Sequence, residues 1–207
     1  MIFVPVNLTF EKINLRMDVP LTEDRVFEKI DFTAAPLKTG EYDNCSFLNC
    51  NFSETDLSGF KFTGCRFAGC NLSLVKFDKT VLSDSVFKDC KMLGVRFDLC
   101  SNFILSFSFD NCTLNHCSFY GIKIKKTLFK NSQLQEVDFT DCDLAGSVFE
   151  NCDLKSALFE NTTLEKADLR SSFNYAIDPE RNKIKKAKFS LAGVVGLLDK
   201  YDINITP

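Results

Sequence analysis

The sequence lacks tryptophan and contains only one histidine, nine glycines and five prolines among its 207 residues. It has no run of eighteen apolar residues, so a membrane-spanning helix is not expected. The first sixteen residues, MIFVPVNLTFEKINLR, have neither a basic start nor a small-residue cleavage site, so no secretory signal is predicted. We therefore expect a cytoplasmic protein with no membrane partner.

Residues with catalytic or ligand-binding chemistry are few and isolated. No glycine-rich phosphate loop is present, and no motif fixes a nucleophile or an acid beside His116. The ten cysteines raise the possibility of disulfides, zinc or redox sensing, but disulfides are rare in a reducing cytoplasm. Their five-residue spacing, as between Cys45 and Cys50, belongs to a repeat that covers most of the chain. We predict no enzymatic activity, no cofactor and no metal site.

The residue in excess is phenylalanine, with twenty-two copies. Large apolar residues occur at every fifth position from Phe27 to Phe97 and, after a two-residue slip at 98–103, from Ile104 to Leu169. A helix of period 3.6 and a strand of period 2 both fail to place every fifth residue on one face. Every twentieth position is again alike, which predicts a coil with four pentads per turn and like residues stacked inside. The predicted core ladder is Phe47, Phe67, Phe87, Phe109, Phe129 and Phe149.

With nearly thirty pentads in phase, the sequence resembles the pentapeptide-repeat family. The resemblance implies an all-β fold, a right-handed quadrilateral β-helix. Within the family, the stretch GEYDNCSFLNCNFSETDLSGFKFTGCRF is similar to the quinolone-resistance (Qnr-type) members. Those proteins bind bacterial DNA gyrase and topoisomerase IV and protect them from fluoroquinolones. Two loops project from the rod in Qnr proteins of Gram-negative bacteria. In this sequence continuous pentads fill the place of the first loop, and the second corresponds at most to the two-residue slip at 98–103, so the sequence resembles a loopless variant.

The repeat also divides the chain. Residues 1–26 are predicted to form an N-terminal cap, residues 27–173 the β-helix, and residues 174–189 a surface excursion followed by the last coil. Residues 190–207 are predicted to form a short C-terminal α-helix and a terminal strand. The apolar positions of this end are Leu191, Val194, Val195, Leu198 and Tyr201. They predict a cap over the last coil, and the resemblance implies a homodimer through the same end.

Charge is uneven along the chain. Residues 131–170 contain nine acidic and three basic residues, whereas residues 61–130 contain eleven basic and five acidic ones. We predict that an acidic face meets a basic groove on a protein partner, although a merely solvated surface has the same composition. The residues assigned to that face are Glu136, Asp138, Asp141, Asp143, Glu150 and Asp153. The basic stretch RNKIKKAK is read as a solvated surface, and no direct contact with nucleic acid is predicted.

Together these observations predict a non-enzymatic, DNA-mimicking protein that binds a type II topoisomerase, DNA gyrase or topoisomerase IV, and protects it against fluoroquinolones. The alternative is an interaction scaffold or a toxin-immunity protein with a different partner and no drug protection.

Overall fold

The computed structural model describes residues 20–206, of which residues 21–188 form a four-sided coil of short parallel strands. Side 1 contains β1 (Leu21–Glu23), β3 (Glu41–Asp43), β5 (Lys61–Thr63) and β7 (Val81–Ser83). Side 2 contains β2 (Val26–Glu28), β4 (Ser46–Leu48), β6 (Arg66–Ala68), β8 (Ser85–Lys88), β9 (Phe107–Asp110), β10 (Leu128–Lys130) and β11 (Val148–Glu150). Neighbouring strands pair in register, so that Phe27 lies opposite Phe47 and Phe47 opposite Phe67.

The remaining two sides are joined by single parallel bridges. Side 3 runs through Asp31, Asn51, Asn71, Lys91, Thr113, Gln133, Asp153 and Phe173. Side 4 includes Asp56 bridged to Lys76, and the series Arg96, Ser118, Asp138 and Leu158. Successive pentads therefore face four directions, and the predicted all-β quadrilateral β-helix is confirmed. Within residues 20–206, no helix has the length and apolarity needed to cross a bilayer.

Stacked aromatic rings fill the coil. Phe47, Phe67, Phe87, Phe109, Phe129 and Phe149 have no solvent-exposed area. The ring centroids of Phe129 and Phe149 are 4.9 Å apart with an interplanar angle of 6°, and Phe129 meets Phe139 of a second column edge-on at 6.0 Å. Offset stacks and edge-to-face contacts are the favoured geometries of aromatic pairs. Hydrophobic burial of these rings is the main favourable term for the fold.

The small residue two positions before each large one also faces inward. In many coils its hydroxyl or thiol donates to a backbone carbonyl of the preceding coil, as from Thr80 Oγ1 to Leu57 O at 2.7 Å and from Cys65 Sγ to Tyr42 O at 3.3 Å. Thr162 Oγ1 donates to Phe139 O in the same way, at 2.8 Å. Because this bond satisfies a buried polar group, cysteine, threonine and serine are interchangeable at the position.

Most of the coil's corners are formed by the residue two positions after the large one, in the left-handed backbone region. Glycine adopts it at Gly59, whereas Asn131, Lys126 and Glu136 adopt it with φ of 50°, 58° and 55°. A left-handed conformation costs a residue with a side chain about 1–2 kcal/mol. This conformation nevertheless recurs at many corners, because each left-handed turn directs the next large residue into the core, where its burial offsets the cost.

The two-residue slip lies slightly later than residues 98–103. Ser101 N donates to Thr80 O, 21 positions earlier, which is the regular separation also seen between Val81 N and Phe60 O. Ser85, in contrast, pairs with Phe107, which is 22 positions later instead of the regular 20. The extra residues therefore bulge between Ser101 and Phe107. The prediction that Ile104 resumes the core column is wrong, because Ile104 is 62% exposed and Leu105 packs against the core instead. Ring stacking continues past the bulge, with Phe87 and Phe109 5.3 Å apart.

The boundaries predicted at both ends require correction. The regular coil begins before residue 27, because β1 pairs with β3 from Leu21 onward; the rest of the predicted cap, residues 1–19, lies outside the described residues. Residues 174–182 are not simply a surface excursion, since Tyr175 and Ile177 are buried. Bridges from Thr163 to Lys183 and from Asp168 to Lys188 keep the twenty-residue offset across this segment.

The C-terminal α-helix and terminal strand were predicted wrongly. The chain forms two 3₁₀ turns, Gly193–Leu197 and Asp199–Tyr201, and then continues without regular structure. A Cβ on Gly193 would lie 2.1 Å from the Tyr175 hydroxyl, and one on Gly196 would lie 2.1 Å from the Tyr175 carbonyl oxygen. These glycines therefore allow the turn to approach Tyr175 closely. Ile177 N also donates to Gly196 O at 2.9 Å.

Candidate interaction surface

The groups that carry chemistry are either buried in the coil or isolated on its surface. All ten cysteines are buried and unpaired, and burial raises the pKa of Cys65, Cys117 and Cys152 to about 12. His116 is exposed at a corner, 3.3 Å from a carboxylate oxygen of Glu136. No group of three or more potential metal ligands occurs in residues 20–206. The surface that a partner meets is therefore the exterior of the rod.

The six acidic residues predicted to form one face lie on four different sides. Asp143 bridges Lys123 on side 1, Glu150 pairs with Lys130 on side 2, Asp153 bridges Gln133 on side 3, and Asp138 bridges Ser118 on side 4. The prediction of a single face is wrong because neighbouring pentads point about a quarter-turn apart. A cluster in the linear sequence therefore wraps around this coil.

Three of the six do share one side. Asp138 lies on side 4, and Glu136 and Asp141 occupy the corners that flank it, with φ of 55° and 57°. Thr140 N donates to Asp138 Oδ1 at 2.9 Å, and Asn161 Nδ2 donates to Asp141 Oδ1 at 2.6 Å. These bonds orient the carboxylates while leaving them at the surface. We call Glu136, Asp138 and Asp141 the acidic triad.

Side 4 has further carboxylates that the sequence prediction missed. They are Asp56, Asp78, Asp98 and Glu160, each next to a large residue of the same column. Some are neutralised locally: Arg96 pairs with Asp98, and Arg181 pairs with Glu160. Burial opposes ionisation of Asp98, but hydrogen bonds from Arg96 and Ser118 outweigh it and leave the pKa of that carboxyl lowered. Grouping the charged residues of the sequence by the twenty-residue period is enough to identify these four carboxylates as members of one side.

The acidic triad has no direct ion pair with a lysine or an arginine in residues 20–206. The carboxylates of Asp98, Asp138 and Asp78 together hold the pKa of the Arg96 guanidinium above its ordinary value, chiefly through its hydrogen bond with Asp98. Glu136 has only His116 beside it, and no lysine or arginine pairs with Asp138 or Asp141 within the described residues. The triad therefore places three carboxylates next to one another with no contacting lysine or arginine.

The predicted C-terminal contact residues remain at the surface. Leu191 is 91% exposed, Val194, Val195 and Tyr201 are exposed, and Leu198 is half-buried. Leu197, which was not predicted, packs against the core. Lys200 Nζ lies 2.8 Å from Asp178 and 2.7 Å from Glu180, so ion pairs tie the end of the chain to the last coil. The C-terminal end thus presents an apolar patch made of Leu191, Val194 and Val195.

Comparisons with known proteins point to one family. Residues 102–169 match the family model of a pentapeptide repeat region, and residues 45–84 and 65–101 match the model of pentapeptide repeats. No curated protein matches the chain.

The solved structure of a QnrB1 variant has a similar fold. A trypsin-treated variant of QnrB1, a plasmid-mediated fluoroquinolone resistance protein, is 18% identical with a TM-score of 0.60, covering 91% of this chain and 100% of that one. HetL, a pentapeptide repeat protein involved in heterocyst differentiation regulation from the cyanobacterium Nostoc sp. strain PCC 7120, is 11% identical with a TM-score of 0.42, covering 81% and 86%. The matched repeats, the four-sided coil and the similarity to QnrB1 identify the chain as a member of the pentapeptide-repeat family that resembles the Qnr proteins.

Proposed function

We propose that this chain is a non-enzymatic binding protein that engages a type II topoisomerase through the acidic triad on side 4 and lowers the enzyme's sensitivity to fluoroquinolones. The observation that carries the proposal is the placement of Glu136, Asp138 and Asp141 on one side of a rigid rod. The fluoroquinolone resistance described for QnrB1, whose fold is similar, supports the choice of partner.

The proposed contact is electrostatic. A topoisomerase holds DNA in a basic groove, and a negatively charged rod complements such a groove and accelerates association. Duplex DNA carries one charge per about 1.7 Å, whereas side 4 alternates acidic residues with Lys76 and Arg96. Mimicry of DNA is therefore confined to the triad's end of the rod.

A supercoiling assay with purified DNA gyrase and ciprofloxacin tests the proposal. The wild-type protein should restore supercoiling that the drug inhibits. The variant E136K/D138K/D141K should lose this effect, because it reverses the charge of the triad. Its corners should still fold, since Lys126 and Lys166 occupy the same left-handed position with φ of 58° and 60°.

The matched control is D143K/E150K/D153K, which makes the same change in net charge on sides 1, 2 and 3. The Oδ1 atoms of Asp143 and Asp153 accept a bond from the backbone two residues later, as that of Asp138 does, so a similar local structure is lost. The control should keep the activity of the wild type. Equal losses in both variants would refute a specific role of side 4, and no rescue by the wild type would refute the proposal itself.

A second candidate function is an interaction scaffold or a toxin-immunity protein with another partner. It is favoured by the rod's shape, because the largest interruption of the coil in residues 20–173 is the short bulge between Ser101 and Phe107. A protein without long loops has only its sides and ends for contact. Direct binding to gyrase, measured without drug, separates the two: this candidate predicts no binding.

We also propose a homodimer through the C-terminal apolar patch. Leu191, Val194 and Val195 are large apolar residues at one end of the rod, next to the last coil. Symmetric dimers bury the same patch of both subunits, and here Val194 and Val195 are exposed side chains of the first 3₁₀ turn.

A further inference from the structure

Side 1 becomes strongly basic towards the C-terminal end of the rod. The coil brings residues from three separate parts of the sequence onto this side and its corner with side 2. They are Lys123, Lys125, Lys126, Lys166, Lys183, Lys185 and Lys186. Bridges from Lys123 to Asp143, Asp143 to Thr163 and Thr163 to Lys183 fix their alignment. We call these seven residues the lysine surface.

Three of the lysines lie along one corner, with Gly146 between Lys126 and Lys166. Lys126, Lys166 and Lys186 have φ of 58°, 60° and 62°, which places each at the left-handed turn between side 1 and side 2. Coils are about 4.8 Å apart, so the corner row extends over about 14 Å. The other four lie beside this row on side 1.

The charge of this surface is largely uncompensated. All seven lysines are exposed, and Asp143 and Glu165 are the acidic residues among them. In the part of the chain that the structure describes, only Lys125 of the seven has an ion-pair partner, with its Nζ 3.1 Å from Asp143 Oδ2. Like charges held this close repel one another, so an anionic ligand gains free energy by neutralising them.

The composition of the surface selects among anionic partners. Protein interfaces rely on buried aromatic and arginine anchors and are depleted in lysine, and between the lysines lie the small residues Ala145, Gly146 and Thr163. Stable membrane docking combines basic charge with apolar side chains or a lipid chain that inserts beside it, and the apolar patch of Leu191, Val194 and Val195 belongs to the rod's end. Lysines on a flat side without anchors match the phosphate backbone of nucleic acid, whose contacts are mainly electrostatic.

We infer that the lysine surface binds the phosphate backbone of duplex nucleic acid without sequence specificity. Taken alone, the RNKIKKAK stretch predicts a solvated surface, but the fold adds Lys123, Lys125, Lys126 and Lys166 to it. This inference does not depend on the proposed topoisomerase contact, because the lysine surface lies on side 1 and the acidic triad on side 4.

Fluorescence anisotropy with a labelled 20-base-pair DNA duplex of random sequence tests the inference. The full-length protein should bind with a dissociation constant in the micromolar range at low salt, and binding should weaken steeply as salt rises. In K126E/K166E/K186E, the affinity for the duplex should fall at least about tenfold. The plot of log K against log salt should also become less steep, by about 3, because each phosphate contact contributes about −0.9 to its slope. Glu54 and Glu136 show that glutamate fits this corner position.

The control variant is K76E/K79E/K91E, which reverses three exposed lysines on sides 3 and 4 and at another corner. It should bind the duplex within about twofold of the wild type. Circular dichroism of each variant establishes that it is folded. The inference is overturned if the wild type does not bind the duplex, or if the corner variant and the control lose affinity equally. It is also overturned if phosphatidylserine vesicles or a polyglutamate peptide bind while the duplex does not.

Discussion

Removing one ring from the middle of the core ladder should be among the most destabilising single changes in this protein. The ring of Phe129 lies between Phe109 and Phe149, with centroid distances of 5.3 and 4.9 Å, and meets Phe119 and Phe139 edge-on at 5.9 and 6.0 Å. Phe129→Ala removes these contacts and leaves a cavity that parallel strands on a fixed spacing cannot close. We expect the free energy of unfolding to fall by about 3–5 kcal/mol.

Urea unfolding followed by circular dichroism measures this loss. With a slope of about 2 kcal/mol per molar urea, the midpoint should decrease by roughly 2 M. Phe129→Leu should cost less than about 1.5 kcal/mol, because Leu169 fills the same column farther along and is fully buried. Phe103→Ala is the negative control: Phe103 is 76% exposed on the bulge, and its loss should change stability by no more than about 0.5 kcal/mol.

Pairs of substitutions test whether coupling is confined to neighbouring coils. Phe129→Ala and Phe149→Ala remove stacked partners, so their effects should be non-additive by at least about 0.5 kcal/mol. Phe129 and Phe47 are four coils, about 20 Å, apart, and their effects should add. A loss for Phe129→Ala as small as that for Phe103→Ala would refute the stacked core, and strong coupling between Phe129 and Phe47 would refute stabilisation by neighbouring coils alone.

Three further results are expected. The thiol pKa is raised from 9.0 to about 12 at Cys65, Cys117 and Cys152, so the stability that these thiols contribute is complete below pH 9 and is lost as pH rises towards 12. All ten thiols are buried and should react with Ellman's reagent at pH 8 only after the protein unfolds. Rapid reaction of the native protein would contradict their burial. Gly196→Ala places a Cβ against the Tyr175 carbonyl, so hydrogen exchange should accelerate at the Ile177 amide but not at Phe129; unchanged exchange at Ile177 would show that the cap tolerates the methyl group. L191E/V195E should give a monomer in light scattering where the wild type gives a dimer, whereas Val148→Glu on side 2 should leave the dimer intact; a monomeric wild type would exclude the proposed dimer.

The architecture was predictable because one periodicity determines it. Once every fifth residue is large and every twentieth is alike, the positions of Phe67 or Phe129 follow without knowledge of any contact. The bulge was harder to place, because Leu99, Phe103, Ile104, Leu105 and Phe107 offer several apolar registers. Backbone bonds decide the register: Ser106 N donates to Leu82 O, and Ser85 N donates to Ser106 O. Phe107 then faces inward, and Ile104 faces outward.

The C-terminal end misled the sequence prediction for a related reason. Leu191, Val194, Val195 and Leu198 have helical spacing, but spacing does not reveal that Gly193 and Gly196 contact Tyr175 closely enough to favour 3₁₀ turns. The acidic face was misplaced because a window of twenty residues surrounds this rod completely. Charges such as Asp138 and Asp143, which are five positions apart, belong to different sides, whereas Lys126 and Lys166, forty apart, belong to one corner.

The left-handed corners have a consequence for how such a protein changes over evolutionary time. The same backbone position holds asparagine at Asn131, glutamate at Glu136, histidine at His116 and lysine at Lys166. Each of these side chains leaves the rod at its edge, where it touches little of the interior. Substitutions at these corners can therefore change the charges along an edge without disturbing the aromatic core, so homologous proteins can evolve new binding partners while keeping the same fold.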